Sequence, residues 1–120
     1  MKIYNGTAHA INIVEGATLD TSDRKYKGGN IIATTPSNGI LNANIETVAG
    51  EPIGDIPVYN KKIVGYDPLP EGYDAYVVSA LYSVAYKAVN PDDKRIYVVA
   101  DPVMSDDGKT FIGCLGITLI

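Results

Sequence analysis

Apolar positions along the chain fall in short runs that alternate with polar ones, with the period of two expected of strands whose two faces differ. β-Branched runs at residues 9–14, 30–34, 42–48, 57–64, 74–78, 95–100 and 109–119 are each bounded by Gly, Pro, Asn or Asp, and each predicts a strand. In the last, Phe111, Leu115, Ile117 and Leu119 share one parity. Gly113 interrupts that face and predicts a bulge or a close backbone approach. In the first, His9 shares parity with Ile11 and Ile13, which predicts a structural histidine turned toward the packed side.

One segment departs from this pattern. Across residues 79–89, Leu81, Val84, Ala85 and Ala88 repeat at i, i+3, i+4 and i+7, which predicts a helix with that stripe as its packed face. Ser79 is placed to cap its start, and Asn90-Pro91 ends it, because the residue before a proline is pushed out of helical geometry. Asn5-Gly6 reads as the turn of a first hairpin, and residues 105–108 as the turn of a late one. Gly28-Gly29-Asn30 also reads as a hairpin turn, since it lacks the lysine-serine tail of a phosphate loop and precedes a strand. No repeat or linker divides the chain, so residues 1–120 are expected to form a single small domain. The predicted class is α+β: a largely antiparallel β-sheet with one main α-helix packed against it.

Composition narrows the function classes. With 46% apolar and 20% charged residues the chain has the profile of a folded globular protein, with no need of a metal or disulfide to fold. No apolar run reaches the ~18 residues of a membrane span, and no basic-then-apolar leader opens the chain, so a cytoplasmic location away from membranes is expected. A single cysteine, Cys114, fits a reducing compartment and has its own reading as a small buried residue. The formal charge of −4 argues against a coat for long nucleic acid, but leaves small anionic ligands open through a local cluster of cations.

No catalytic set emerges. His9 has no serine elbow to serve, and the carboxylates, Asp92-Asp93 and Asp106-Asp107 among them, sit in turns where they bond nearby amides; no metal or cofactor is expected. The more informative cluster follows from the helix onward. Tyr82 and Tyr86 stand four apart, and Asn90, Arg95, Asp101 and Lys109 come after them. A tyrosine face stacks on a purine base, and Arg or Lys binds phosphate by charge-assisted bonds, so these six are the parts of a small-nucleotide pocket. The alternative is that the tyrosines straddle the core edge and the cations are ordinary surface groups. Nine tyrosines against one phenylalanine also suit a protein interface, hence an oligomer.

The order of motifs resembles small phage and prophage proteins. The matching features are Asn5, Thr7, His9 and Ile11 in an Asn-x-Thr-x-His-x-Ile pattern, Pro-Ser-Asn-Gly at 36–39, Leu-Pro-Glu-Gly at 69–72 and Tyr-Val-Val-Ser-Ala-Leu at 76–81. Ala-Asp-Pro-Val at 100–103 and Asp-Gly-Lys-Thr-Phe-Ile-Gly at 107–113 complete it. Within that group the chain is similar to the first type of Thoeris anti-defence protein. The resemblance implies a sponge, not an enzyme: a protein of the host cytoplasm that sequesters cyclic ADP-ribose isomers without degrading them. It further implies a homo-oligomer, dimeric or hexameric, with pockets between protomers, and a second site for cyclic oligonucleotides. It would place stacking on Tyr82, polar recognition on Asn90 and Asp101, and phosphate binding on Arg95 and Lys109. Lysine at 109, where an arginine is expected, loses the bidentate fork. Two further readings stay open: a small phage structural or adaptor protein forming β-rich oligomers, and a nucleotide hydrolase using His9 or an aspartate pair.

Overall fold

The structure, a computed structural model, describes residues 1–120. Its elements in chain order are β1 (Ile3–Asn5), β2 (Ile11–Glu15), β3 (Thr18–Asp20), β4 (Lys25–Lys27), β5 (Asn30–Thr35), β6 (Ala43–Ala49), β7 (Tyr59–Tyr66), β8 (Ala75–Val77), α1 (Ala80–Val89), β9 (Ile96–Met104) and β10 (Phe111–Leu119). The class is α+β, with one helix among ten strands. The sheet, however, is mixed. The main sheet runs β1-β8-β9-β10-β2-β5, with β4 and its partner β3 attached along the far half of β9. Parallel pairs are β1–β8, β8–β9, β10–β2 and β4–β9; antiparallel pairs are β9–β10, β2–β5, β3–β4 and β6–β7. The long ladders are antiparallel, so local sequence shows them; the parallel pairs join segments distant in sequence, which no local pattern encodes.

Asn5-Gly6 does not turn a hairpin, because β1 pairs with β8 and β2 with β10 and β5. The fully buried Asn5 side chain instead braces an irregular loop: Nδ2 donates to the carbonyls of His9 and Thr35, and Oδ1 accepts from the backbone N–H and hydroxyl of Thr7. His9 lies in that loop and is exposed, not turned to the packed side of a strand. Gly28-Gly29 likewise joins strands that pair elsewhere, not a hairpin. The β9–β10 turn is as expected, with Gly108 at φ 72°. Gly113 also behaves as its pattern predicts: the ladder shifts register between Phe111 and Gly113, and an added Cβ there would sit 2.5 Å from the Asn12 carbonyl oxygen. Phe111, Ile117 and Leu119 share a parity but stay exposed.

Ser79 caps α1 as expected, its hydroxyl accepting from the Tyr82 N–H, and Asn90 ends it. The packed face is turned away from the expected stripe and keeps only Ala85 of it. Tyr82, Ser83, Ala85 and Tyr86 are buried, whereas Leu81, Val84 and Ala88 face outward. Two tyrosines bring more apolar area to the sheet than the aliphatic stripe does, and their hydroxyls find carbonyl and carboxylate partners there. They join Tyr4, Leu41, Tyr76, Val78 and Ile96 in the main core. Tyrosine thus builds this interior as well as its surface. Each core hydroxyl ties down a loop: Tyr4 donates to the Asn38 and Gly39 carbonyls, Tyr76 to that of Pro70, Tyr82 to that of Asp67, and Tyr86 to the Asp93 carboxylate. No buried side-chain polar atom is left without a partner.

Candidate functional site

The turn after α1 builds the centre of the most polar cleft. Asp93 sits three residues past the helix cap, and its Oδ1 accepts the Arg95 N–H at 3.0 Å, an Asx turn that holds the carboxylate beside the next strand. The Arg95 guanidinium then forks onto the same carboxylate, Nε to Oδ1 at 3.0 Å and Nη2 to Oδ2 at 2.7 Å. The Tyr86 hydroxyl donates to Oδ2 as well, at 2.5 Å. Arg95 lies 5.4 Å above the Tyr76 ring, so a cation–π contact completes its seat. Asn90 donates Nδ2 to the Tyr66 hydroxyl and to the Tyr86 carbonyl.

Tyr86, Asn90 and Arg95 thereby converge on one open cleft of about 580 Å³, with Tyr66, Tyr76 and the 68–72 loop forming its other wall. That volume lies within the range of small-molecule sites. The remaining expected residues are elsewhere. Tyr82 lies beneath the cleft, fully buried and stacked on Tyr86 at 6.1 Å, so its ring offers no face to a ligand. Asp101 lines a separate hollow with Arg24 and Tyr26, and Lys109 is exposed in the β9–β10 turn. Tyr66, Tyr76 and Asp93 were missed. Their signals were present, since Tyr76 belongs to the Tyr-Val-Val-Ser-Ala-Leu motif and Asp93 stands two residues before Arg95, but both read more simply as a strand residue and a turn residue.

The electrostatics follow from the clamp. Arg95 first, then Tyr86, holds the Asp93 carboxyl well below the usual carboxylate range against an opposing desolvation, and the same bonds raise Arg95. Burial, reinforced by Asp93, pushes the Tyr86 phenol upward, so it stays a neutral donor. Arg95 spends two of its five N–H groups on Asp93, which leaves three without a protein side-chain partner. Because Asp93 compensates its charge, an incoming anion meets an oriented set of donors in place of a bare cation.

A carboxyl with a depressed folded value stabilises the fold above its unfolded value near 4, and that contribution is lost as pH falls toward the folded value. Melting wild type and Asp93→Asn across acidic pH is therefore expected to give a Tm gap that is constant above about pH 4 and closes below it. A gap independent of pH would contradict the clamp.

No group of three or more His, Cys, Asp or Glu side chains is arranged to hold a metal. Cys114 is buried and lines a small hollow of about 220 Å³ with His9. Burial pushes its thiol upward, the opposite of thiolate activation. No helix is long and apolar enough to cross a membrane.

The fold and the cleft define a small α+β protein with an aromatic and guanidinium-lined hollow on one face. Comparison with known proteins adds no relative: no family model, no curated protein and no solved structure matches the chain.

Proposed function

We propose that this chain captures a small nucleotide signal of the cyclic ADP-ribose class and holds it without chemical change, as a phage anti-defence sponge. The observation that carries the reading is the convergence of Tyr86, Asn90 and Arg95 with Tyr66 and Tyr76 on one cleft. Arg95 supplies donors for a phosphate oxygen, the Asn90 Oδ1 can accept from a ribose hydroxyl or a base edge while its Nδ2 is engaged by Tyr66 and Tyr86, and the half-buried Tyr66 ring offers apolar contact. The motif order described above points to the same ligand class. The proposal moves the contacts from Tyr82, Asp101 and Lys109 to the cleft residues.

The test is to incubate the purified chain with cyclic ADP-ribose isomers, follow its melting, then denature it and analyse what is released. A rise in Tm with intact ligand released supports capture, since a ligand bound only by the native state stabilises it by mass action. Chemically altered ligand would instead identify a hydrolase, and no shift with any isomer leaves the adaptor reading. Arg95→Ala is expected to weaken binding by about 10-fold to 100-fold, the loss of one or two charge-assisted hydrogen bonds. Lys109→Ala is expected to leave it unchanged.

A further inference from the structure

Asparagine followed by glycine is a dipeptide prone to losing its side-chain amide, because glycine puts no Cβ in the way when its backbone nitrogen attacks the asparagine side-chain carbon. The chain holds two such pairs, Asn5-Gly6 and Asn38-Gly39. The two are joined by hydrogen bonds, yet the fold treats them in opposite ways.

Asn5 is held against the reaction. Its side chain is fully buried, its Nδ2 is bonded to two carbonyls, and the Gly6 N–H donates to the Val77 carbonyl at 2.8 Å, extending the β1–β8 ladder. Attack there would break a sheet bond at a place closed to water. Asn38 is the reverse case. It is exposed within residues 36–42, which belong to no strand or helix. Its Nδ2 donates to no protein group, so the nitrogen that must leave is free. The Gly39 N–H makes only a long contact, 3.3 Å, to the exposed Ser37 hydroxyl, which leaves its proton accessible to hydroxide. The Asn5 N–H meanwhile donates to Asn38 Oδ1 at 2.8 Å. That oxygen gains negative charge when its carbon is attacked, so the Asn5 amide stands as a fixed donor where charge develops.

We propose that Asn38-Gly39 is a self-modifying site, converted by water to aspartyl and isoaspartyl forms, while the fold keeps Asn5-Gly6 unreactive. The Gly39 nitrogen gives its proton to hydroxide and bonds to Asn38 Cγ. The Cγ–Nδ2 bond then breaks, and ammonia leaves with a proton taken from water, which restores the hydroxide. The five-membered imide adds one water at either carbonyl, yielding aspartate or isoaspartate. The net exchange is an amide and water for a carboxylate and ammonium, with no oxidant or cofactor.

The two products differ in consequence. Aspartate keeps an oxygen for the Asn5 N–H. Isoaspartate routes the main chain through the former side chain, adds a methylene between residues 38 and 39, and turns the old Asn38 carbonyl into a free carboxylate. The Tyr4 hydroxyl donates to the carbonyls of both residues, at 3.1 and 3.0 Å, and the Leu41 N–H to that of Gly6 at 2.9 Å. Tyr4 and Leu41 belong to the main core. The longer backbone cannot keep all three bonds, so the isoaspartyl form loosens the core edge.

The inference does not rest on the ligand reading, and its test uses wild type without ligand. The folded chain is incubated at mildly alkaline pH beside a sample unfolded in urea, and both are digested with trypsin. Asn5 falls in the peptide of residues 3–24 and Asn38 in that of residues 28–61, so mass spectrometry follows each amide separately. In the folded chain Asn38 is expected to convert at least about tenfold faster than Asn5, because attack at Asn5 must first open a buried, sheet-bonded site. In urea Asn5 should become as reactive as Asn38 within about threefold, since the dipeptides are then alike. The isoaspartyl form, separated by chromatography, should melt below the aspartyl form. An Asn38 that stays intact or converts no faster than Asn5 in the folded chain would overturn the proposal. So would an Asn5 that remains slow in urea, or isoaspartyl and aspartyl forms that melt together. None of these results bears on nucleotide capture.

Discussion

Tyr82→Ala is expected to remove about 3–5 kcal/mol of stability, the cost of truncating a large buried aromatic, and so a large part of what a domain of this size has. The side chain is fully buried, packs edge-on against Tyr66 at 5.9 Å and face-on against Tyr86, and donates to the Asp67 carbonyl at 2.6 Å. Burial raises its phenol above the usual range, so the hydroxyl remains a neutral donor at neutral and mildly alkaline pH. Urea unfolding followed by circular dichroism measures the loss. Tyr82→Phe keeps the ring and removes one hydrogen bond, so it is expected to cost about 1–3 kcal/mol, the penalty of an orphaned carbonyl. If Tyr82→Ala instead unfolds at the wild-type urea midpoint, the assignment of this helix face to the core fails.

The second large effect is expected at the other end of the chain. Asn5→Asp changes no volume, yet it replaces two donors with a carboxylate oxygen facing the carbonyls of His9 and Thr35, each 3.0 Å away. With no cation to pair it, a buried charge of this kind is expected to cost at least about 3 kcal/mol at neutral pH. Desolvation and the carbonyls raise the folded value of the introduced carboxyl above its unfolded value. Protonation therefore favours the folded state, and the variant should recover stability as pH falls through that raised value. Melting Asn5→Asp against wild type between neutral and mildly acidic pH reads this directly. A deficit that does not shrink on acidification would mean that the Asn5 amide is not the brace of the loop. Asn5→Ala removes all four side-chain bonds, the two that Nδ2 donates and the two that Oδ1 accepts, but buries no charge, and its deficit should be smaller at neutral pH and independent of pH.

These two positions mark where sequence reasoning reached and where it stopped. The helix and its caps were legible because Ser79 and Asn90-Pro91 act within a few residues of where they stand. Five of the seven expected strands are found within two residues of the expected bounds; the one expected at 95–100 runs on to Met104, and the first starts later because Asn5 draws the chain around His9 into a loop. Three short strands, β1, β3 and β4, went unseen: with three residues each, they have no periodicity to display. Gly113 was legible because its interruption of an apolar parity has a single steric cause, a neighbouring backbone too close for a Cβ. The face of α1 was misread since Leu81, Val84, Ala85 and Ala88 satisfy the helical period as well as Tyr82 and Tyr86 do. Hydrophobic period locates a helix but cannot choose between two apolar faces when one is aliphatic and the other aromatic with hydroxyls that will find partners.

The cleft divides in the same way. Tyr86, Asn90 and Arg95 were found because they cluster in sequence around one turn. Tyr66 and Tyr76 reach the site from β7 and β8, segments that only the tertiary arrangement brings beside α1. Asp101 and Lys109 are near Arg95 in sequence but are carried away along β9, whose extended backbone moves about 3.3 Å per residue.

What the sequence determined by itself was local structure: one capped helix, most of the strands, and the β9–β10 turn. The tertiary structure alone decided which strands lie parallel, which helix face is interior, and that Asp93 rather than a ligand already holds part of Arg95. It also decided that residues 44–64 form an arm with no buried side chain. Those outcomes depend on contacts between segments far apart in the chain, whose energies are settled by burial and hydrogen-bond pairing in three dimensions and leave no period in the sequence.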